Sequence, residues 1–129
     1  MYRSYTPILM SVIARPKING GGEHWGVLMP GNLVAHNTPE RGEHVSTLLE
    51  FATDRKFRVV RHVLPDHFHA SMHRIQKALQ SPGSYHATKN NCQSFANRVT
   101  GEKARSPTVE AIGLVALAGL FIYTFRRTA

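Results

Sequence analysis

Two kinds of pattern divide the chain: apolar runs a strand long, and stretches where apolar residues return every third or fourth position. The first run, PILMSVIA at residues 7–14, ends in Arg15-Pro16. It reads as a first strand, because a secretory signal would continue into a small-residue cleavage site. The NGGG at residues 19–22 is turn chemistry, since glycine enters positive φ without steric cost. HWGVLM and LVAHN follow as two strands, joined through Pro30-Gly31-Asn32 as a hairpin.

Residues 44–55, HVSTLLEFATDR, mix a helical half-turn with loop character and fit neither period. KFRVVRHVL is the clearest strand, with Phe57, Val59, Val60 and Val63 among arginines. A helix is then predicted with Asp66 as N-cap and with Phe68, Met72, Ile75 and Leu79 as its buried stripe. Ser81-Pro82-Gly83 stops it. Asn90 or Asn91 caps a further helix whose apolar face is Phe95, Ala96 and Val99, and Gly101 ends that one. A small antiparallel sheet packed on two helices, an α+β fold, is the expectation.

The last segment differs in kind. Residues 111–125 carry no charge and are followed by Arg126 and Arg127. A bilayer core needs roughly 20 apolar residues, and Val109 together with snorkelling of Glu110 and the arginines brings the run close. Gly113, Ala116, Ala118 and Gly119 are residues frequent in membrane helices. So apolar a helix is hard to bury in a small domain. The expected division is a folded domain at 1–106 and a C-terminal hydrophobic membrane anchor at 107–129, with the folded domain in the cytoplasm.

Composition sharpens this. The formal charge of +8 favours anionic partners. The basic residues are interspersed with apolar ones rather than blocked, so nucleic acid is not an expected partner. One cysteine cannot form an intrachain disulfide, which fits a reducing compartment.

That cysteine, Cys92, falls in the first turn of the second predicted helix. Unpaired backbone N–H groups and the positive end of the helix dipole favour its thiolate, the reactive form. The Cys92 backbone N–H also suits the oxyanion of a tetrahedral intermediate. A thiol nucleophile needs a base, and the base needs an orienting group. His24 opens one strand of the predicted hairpin and His36 closes the other, so pairing brings both imidazoles to one end of the sheet. His69 and His73 are four apart on a helix, with His44, His62 and His67 nearby in sequence. No third ligand follows from the spacing, so they are expected as solvated residues, with no metal or cofactor. His86 lies six residues before Cys92 without a spacing that demands a role, and Trp25 reads as core or pocket wall.

EHWGVLMPGNLVAH and NNCQSFANRVTGEKARS together resemble the lecithin:retinol acyltransferase-like family, in particular its H-Ras-like suppressor phospholipase/acyltransferase (H-box/NC) branch. The elements that carry the resemblance are His24-Trp25, His36, Asn91-Cys92 and Phe95, with Asn97, Gly101 and Ala104-Arg105-Ser106 downstream. The motifs cover about a third of the chain. The resemblance implies a circularly permuted papain-like (NlpC-type) fold and a membrane-associated thiol acyltransferase or phospholipase A. Cys92 would take an acyl chain from a glycerophospholipid as a thioester, His24 would act as general base and then acid, and His36 would orient it. Trp25 and Asn91 become the candidate substrate contacts. The acyl group would pass to water or to an amine or hydroxyl acceptor. Two other readings share the motifs: a cysteine peptidase or amidase of the same fold, and a non-catalytic, membrane-anchored H-box/NC interaction protein of the picornaviral type.

Overall fold

Gly31 and Asn32 both adopt left-handed backbone, at φ +81° and +56°, where glycine and asparagine are the residues best tolerated. They reverse the chain between β2 (Glu23–Met29) and β3 (Leu33–Thr38), which pair antiparallel with Gly26 opposite His36 and Met29 opposite Leu33. The computed structural model describes residues 7–18, 20–103 and 105–113. β1 (Ser11–Pro16) lies on the other side of β2, β4 (Gly42–Thr47) on the outside of β3, and β5 (Arg58–His62) on the outside of β1. The order β4-β3-β2-β1-β5 makes one five-stranded antiparallel sheet.

Residues alternate between the faces of a strand, and this alternation divides the core in two. Val12 and Ala14 of β1, Trp25 and Val27 of β2 and Ala35 of β3 face α2 (Phe68–Gln80) and α3 (Cys92–Val99), where Ile75, Phe95, Ala96 and Val99 meet them. Ile13 and Val34 point the other way and pack on Phe51 of the short α1 (Leu48–Ala52). Gly26 sits under that aromatic ring. A Cβ there would lie 2.5 Å from Val34 Cγ1 and 2.8 Å from Phe51 Cε2, so only glycine lets α1 close on the sheet.

The α+β arrangement, the β2–β3 hairpin, β5 and both long helices stand where the residue pattern puts them. The ambiguous stretch resolves into β4 followed by α1. Thr47 turns one into the other through a capping box, its Oγ1 accepting from the Glu50 N–H and Glu50 Oε2 accepting from the Thr47 N–H. Two details of α2 differ from expectation. Asp66 is not its N-cap: Pro65–His67 forms a 3-10 turn that feeds directly into α2, and no side chain caps the helix. Leu79 is 38% exposed, whereas Ser71 and Ile75 are buried with Phe68, Met72 and Ala78 partly so; the inner face therefore lies one position toward the N-terminus. Ser81, Pro82 and Gly83 follow the end of α2 as expected.

Residues 107–113 are helical. The remainder of the uncharged C-terminal run lies outside the described residues, and among the described residues no helix is long and apolar enough to cross a membrane.

Candidate active site

Asn91 shapes the cysteine's surroundings. Its Oδ1 accepts from the Ser94 N–H at 3.0 Å and its own N–H donates to Ser94 Oγ at 2.9 Å, a reciprocal cap that starts α3 one residue later. Cys92 is thus the first residue of the helix. The first backbone N–H groups of a helix have no intrahelical acceptor, and the cap satisfies that of Ser94, so those of Cys92 and Gln93 remain at the tip. Asn91 is buried and spent on the cap, with its Nδ2 donating to Ala87 O at 3.0 Å.

The loop before Cys92 is pinned by Glu43 of β4, a buried carboxylate whose side chain is 2% exposed. It accepts from the Gly83 N–H and from Arg98 of α3. Asn37 of β3 adds a bond from its Nδ2 to Asn90 O at 2.8 Å.

On the α1 face of the sheet the two histidines meet as the hairpin register requires. His24 Nε2 lies 2.8 Å from His36 Nδ1, and His36 Nε2 lies 2.8 Å from Ser46 Oγ on β4. Ser46 Oγ donates onward to Thr47 O at 3.3 Å. One tautomer assignment satisfies every one of these contacts. A serine hydroxyl that donates to a carbonyl accepts from His36 Nε2–H; His36 Nδ1 then accepts from His24 Nε2–H; His24 Nδ1 is left with its lone pair. Phe51 packs against both rings, with centroids 5.4 and 5.3 Å away, and His44 lies 4.2 Å from His36.

Burial, with the positive charges of Arg15 and Lys17 and with His44 adding to it, pushes His24 down to about 4. Burial, reinforced by His24, His44, Arg15 and Arg41, pushes His36 down to about 3. Both rings are therefore neutral near pH 7. The consequence for stability has a definite sign. In the unfolded chain the imidazoles take up protons near pH 6.5, whereas the folded protein resists until about pH 4. Unfolding absorbs protons in that window, so the stabilisation present above about pH 6.5 is lost as pH falls toward 4. Urea midpoints are expected to drop between pH 7.5 and 4.5 more steeply in wild type than in a His24→Gln/His36→Gln variant. The difference should approach two protons, each worth about 1.4 kcal/mol per pH unit. Equal slopes would mean that the rings are not neutral and buried together.

Cys92 and His24 line one cavity of about 380 Å³, with Arg15, Lys17, Tyr85 and Glu40 among its walls. They reach it from opposite faces of the sheet, around its end: His24 from the Phe51 side and Cys92 from the tip of α3. Among the described residues no hydrogen bond joins the thiol to His24; Cys92 is buried, at 5% exposure. Trp25, next to His24, faces the opposite way into the core beside Phe95 and does not line this cavity. His62, His67, His69, His73 and His86 are exposed. No group of three or more His, Cys, Asp or Glu able to hold a metal occurs among the described residues.

Sequence reasoning missed Arg15 and Ser46. Arg15 stands directly opposite His24 in the β1–β2 register and is 9% exposed, with Nε donating to Phe51 O at 2.5 Å and Nη1 to Pro16 O at 3.1 Å. Ser46 reaches His36 diagonally, being paired with Val34. Neither has a spacing signal along the chain, and only the strand register brings them in. Comparison with models of protein families, with curated proteins and with solved structures gives no match to this chain.

Proposed function

We propose that the protein is a membrane-associated thiol acyltransferase or phospholipase A of the circularly permuted papain-like type, with Cys92 as nucleophile, His24 as general base and acid, and His36 as the residue that orients it. The observation that carries this reading is the relay from His24 through His36 to Ser46. With His36 Nε2–H donating to Ser46, the relay leaves the Nδ1 lone pair of a neutral imidazole unspent on the residue that shares a cavity with the only thiol. A base that is neutral at working pH is what a thiol nucleophile requires.

In this mechanism His24 Nδ1 takes the Cys92 proton and Sγ attacks the ester carbonyl of a glycerophospholipid. The Cys92 backbone N–H receives the developing oxyanion. Collapse breaks the carbonyl carbon–oxygen ester bond; the lysolipid oxygen leaves with the proton from His24, and the acyl chain stays on Sγ as a thioester. Water, an amine or a hydroxyl then gives its proton to His24 while attacking the thioester, and Cys92 leaves with that proton. The lipid substrate class is supported by the +8 charge and by the uncharged run at 111–125, together the composition of a chain that works at an anionic membrane surface.

The test is intact-protein mass spectrometry after incubation with phosphatidylcholine vesicles. A mass increase of one acyl chain, labile to hydroxylamine and absent from Cys92→Ala, is expected. No adduct and no fatty-acid release from wild type would overturn the reading. Turnover of amide substrates in that case would identify a peptidase or amidase with the same nucleophile.

A further inference from the structure

Arg15 is a buried cation without a counter-ion. It is 9% exposed, and none of the ion pairs among the described residues includes it. Taking a charge out of water is unfavourable unless a partner compensates it. Hydrogen bonds supply part of that compensation: Nε donates to Phe51 O and Nη1 to Pro16 O, and the guanidinium lies 5.4 Å from the centre of the Phe51 ring. Nη2 has no partner among the described residues. Two carbonyls need donors rather than a charge, so these contacts leave the charge itself unused.

That charge stands where the chemistry is. Arg15 is paired with His24 across β1 and β2, hence on the same face of the sheet, and both line the cavity that Cys92 reaches. After burial, Arg15 is the first of the causes that push His24 down to about 4, ahead of Lys17 and His44. Burial and then the charge of Arg55 push the Arg15 guanidinium below its ordinary value, whereas Cys92 acts in the opposite sense, so guanidinium and thiol are close enough to interact. The other titratable groups around His24 and the cavity are Lys17 after β1, His36 of β3, His44 of β4, Glu40 between those two strands and Tyr85 before α3. α1 brings only the uncharged Phe51 against the ring. Lys17 and Glu40 are exposed and screened by water, whereas Arg15 is enclosed.

We infer that Arg15 is a further residue of the reaction, the fixed positive charge facing the negative charge that forms when Cys92 gives up its proton. This role rests on the reading of Cys92 and His24 as nucleophile and base. As the proton passes to His24, negative charge forms on Sγ and then, in the tetrahedral intermediate, on the former carbonyl oxygen. An enclosed cation stabilises both. The same cation disfavours a lasting imidazolium, so His24 stays available as a base and passes its proton on to the leaving oxygen. Arg15 does this through its field and through His24, without contact with the substrate.

Arg15→Gln keeps an N–H donor and loses the charge, whereas Arg15→Lys keeps the charge and loses the fork. Two reactions of Cys92 would be followed in the full-length protein from about pH 4 to about pH 8. One is single-turnover thioester formation with a fluorescent phospholipid; the other is alkylation by iodoacetamide, which needs no lipid. In Arg15→Gln the acid limb of both profiles is expected to move up toward the free-imidazole value near 6.5, because His24 is protonated sooner without the cation. Thioester formation should also slow about 10²-fold on its plateau with little change in KM. Arg15→Lys should keep the wild-type limb and most of the rate, and Lys17→Gln should move the limb less than Arg15→Gln. A role limited to holding Phe51 would slow both Arg15 variants alike and leave the limb in place. That result, an equal movement in Lys17→Gln, or a wild-type thiol inert to iodoacetamide throughout would overturn the inference. If the wild type alkylates but forms no thioester, acyl transfer falls as the reading while the alkylation profiles still decide the part of Arg15. Should Arg15→Gln fail to fold by circular dichroism, Arg15→Met supplies the neutral side chain.

Discussion

Replacing His24 with alanine is expected to slow acylation of Cys92 by about 10²–10⁴-fold, the range that a positioned general base supplies. His24 is the base candidate because the relay commits Nε2 and leaves Nδ1. His36→Gln should have a smaller effect of another kind. Glutamine can still offer a polar contact to His24, but it does not fill the space between His24, His44 and Phe51 or hold one tautomer. The expected signature is a lower kcat with little change in KM, because His36 touches no substrate. Ser46→Ala removes only the far end of the chain and should cost least. Single-turnover kinetics with a fluorescent phospholipid, following thioester formation, separates the three. Equal losses in all three variants would point to general collapse of the α1 face, and an unaffected His24→Ala would remove the base.

The largest stability effect is expected at Arg98, and it should be asymmetric. Glu43 is enclosed, whereas the side chain of its partner Arg98 is 47% exposed. Removing the arginine leaves a buried carboxylate with only the Gly83 N–H for company. Breaking a buried pair in that sense typically costs about 3–5 kcal/mol. Arg98→Met, which keeps packing on Phe95, should therefore destabilise strongly. Glu43→Gln leaves an arginine that water can solvate and an amide that can still accept from Gly83, so it should cost clearly less. In the double variant most of the Arg98→Met loss should return. Urea denaturation of the four proteins closes the cycle; equal single-variant losses would show that both partners are equally enclosed.

Much of the architecture was legible because local chemistry and tertiary packing agree. Pro30-Gly31-Asn32 had to turn, β5 carries its valines in a block, and Asn91 is a cap followed by an apolar helix face. Legibility failed where the inside is polar. β4 buries Glu43 and Ser46, and α1 turns Leu49 outward at 85% exposure while burying only Phe51, so the apolar pattern there points away from the core. At α2 the Asp66 signal was overridden by Pro65, which sets up a 3-10 turn and leaves the aspartate no helix end to cap. The site divides the same way. The meeting of His24 with His36 follows from hairpin geometry, whereas Arg15 and Ser46 depend on the pairing of strands that no local signal aligns. The tip of α3 reaches the His24 cavity from the other face of the sheet, a relation set by tertiary packing alone.

α3 has a second attachment besides the sheet. Gln93, the residue after the thiol, accepts from Ser106 Oγ at 2.5 Å and from the Thr108 N–H at 3.2 Å, and donates to Thr108 Oγ1 at 2.9 Å; Asn97 holds Arg105 O one turn further on. The start of the C-terminal helix is thereby tied to the same turn that presents Cys92. Load carried along the helix at 107–113 would enter the folded domain through α3, at Gln93, one residue from Cys92, and at Asn97. The turn that presents Cys92 and the start of that helix therefore form one mechanical unit, and a pull on the one is a pull on the other.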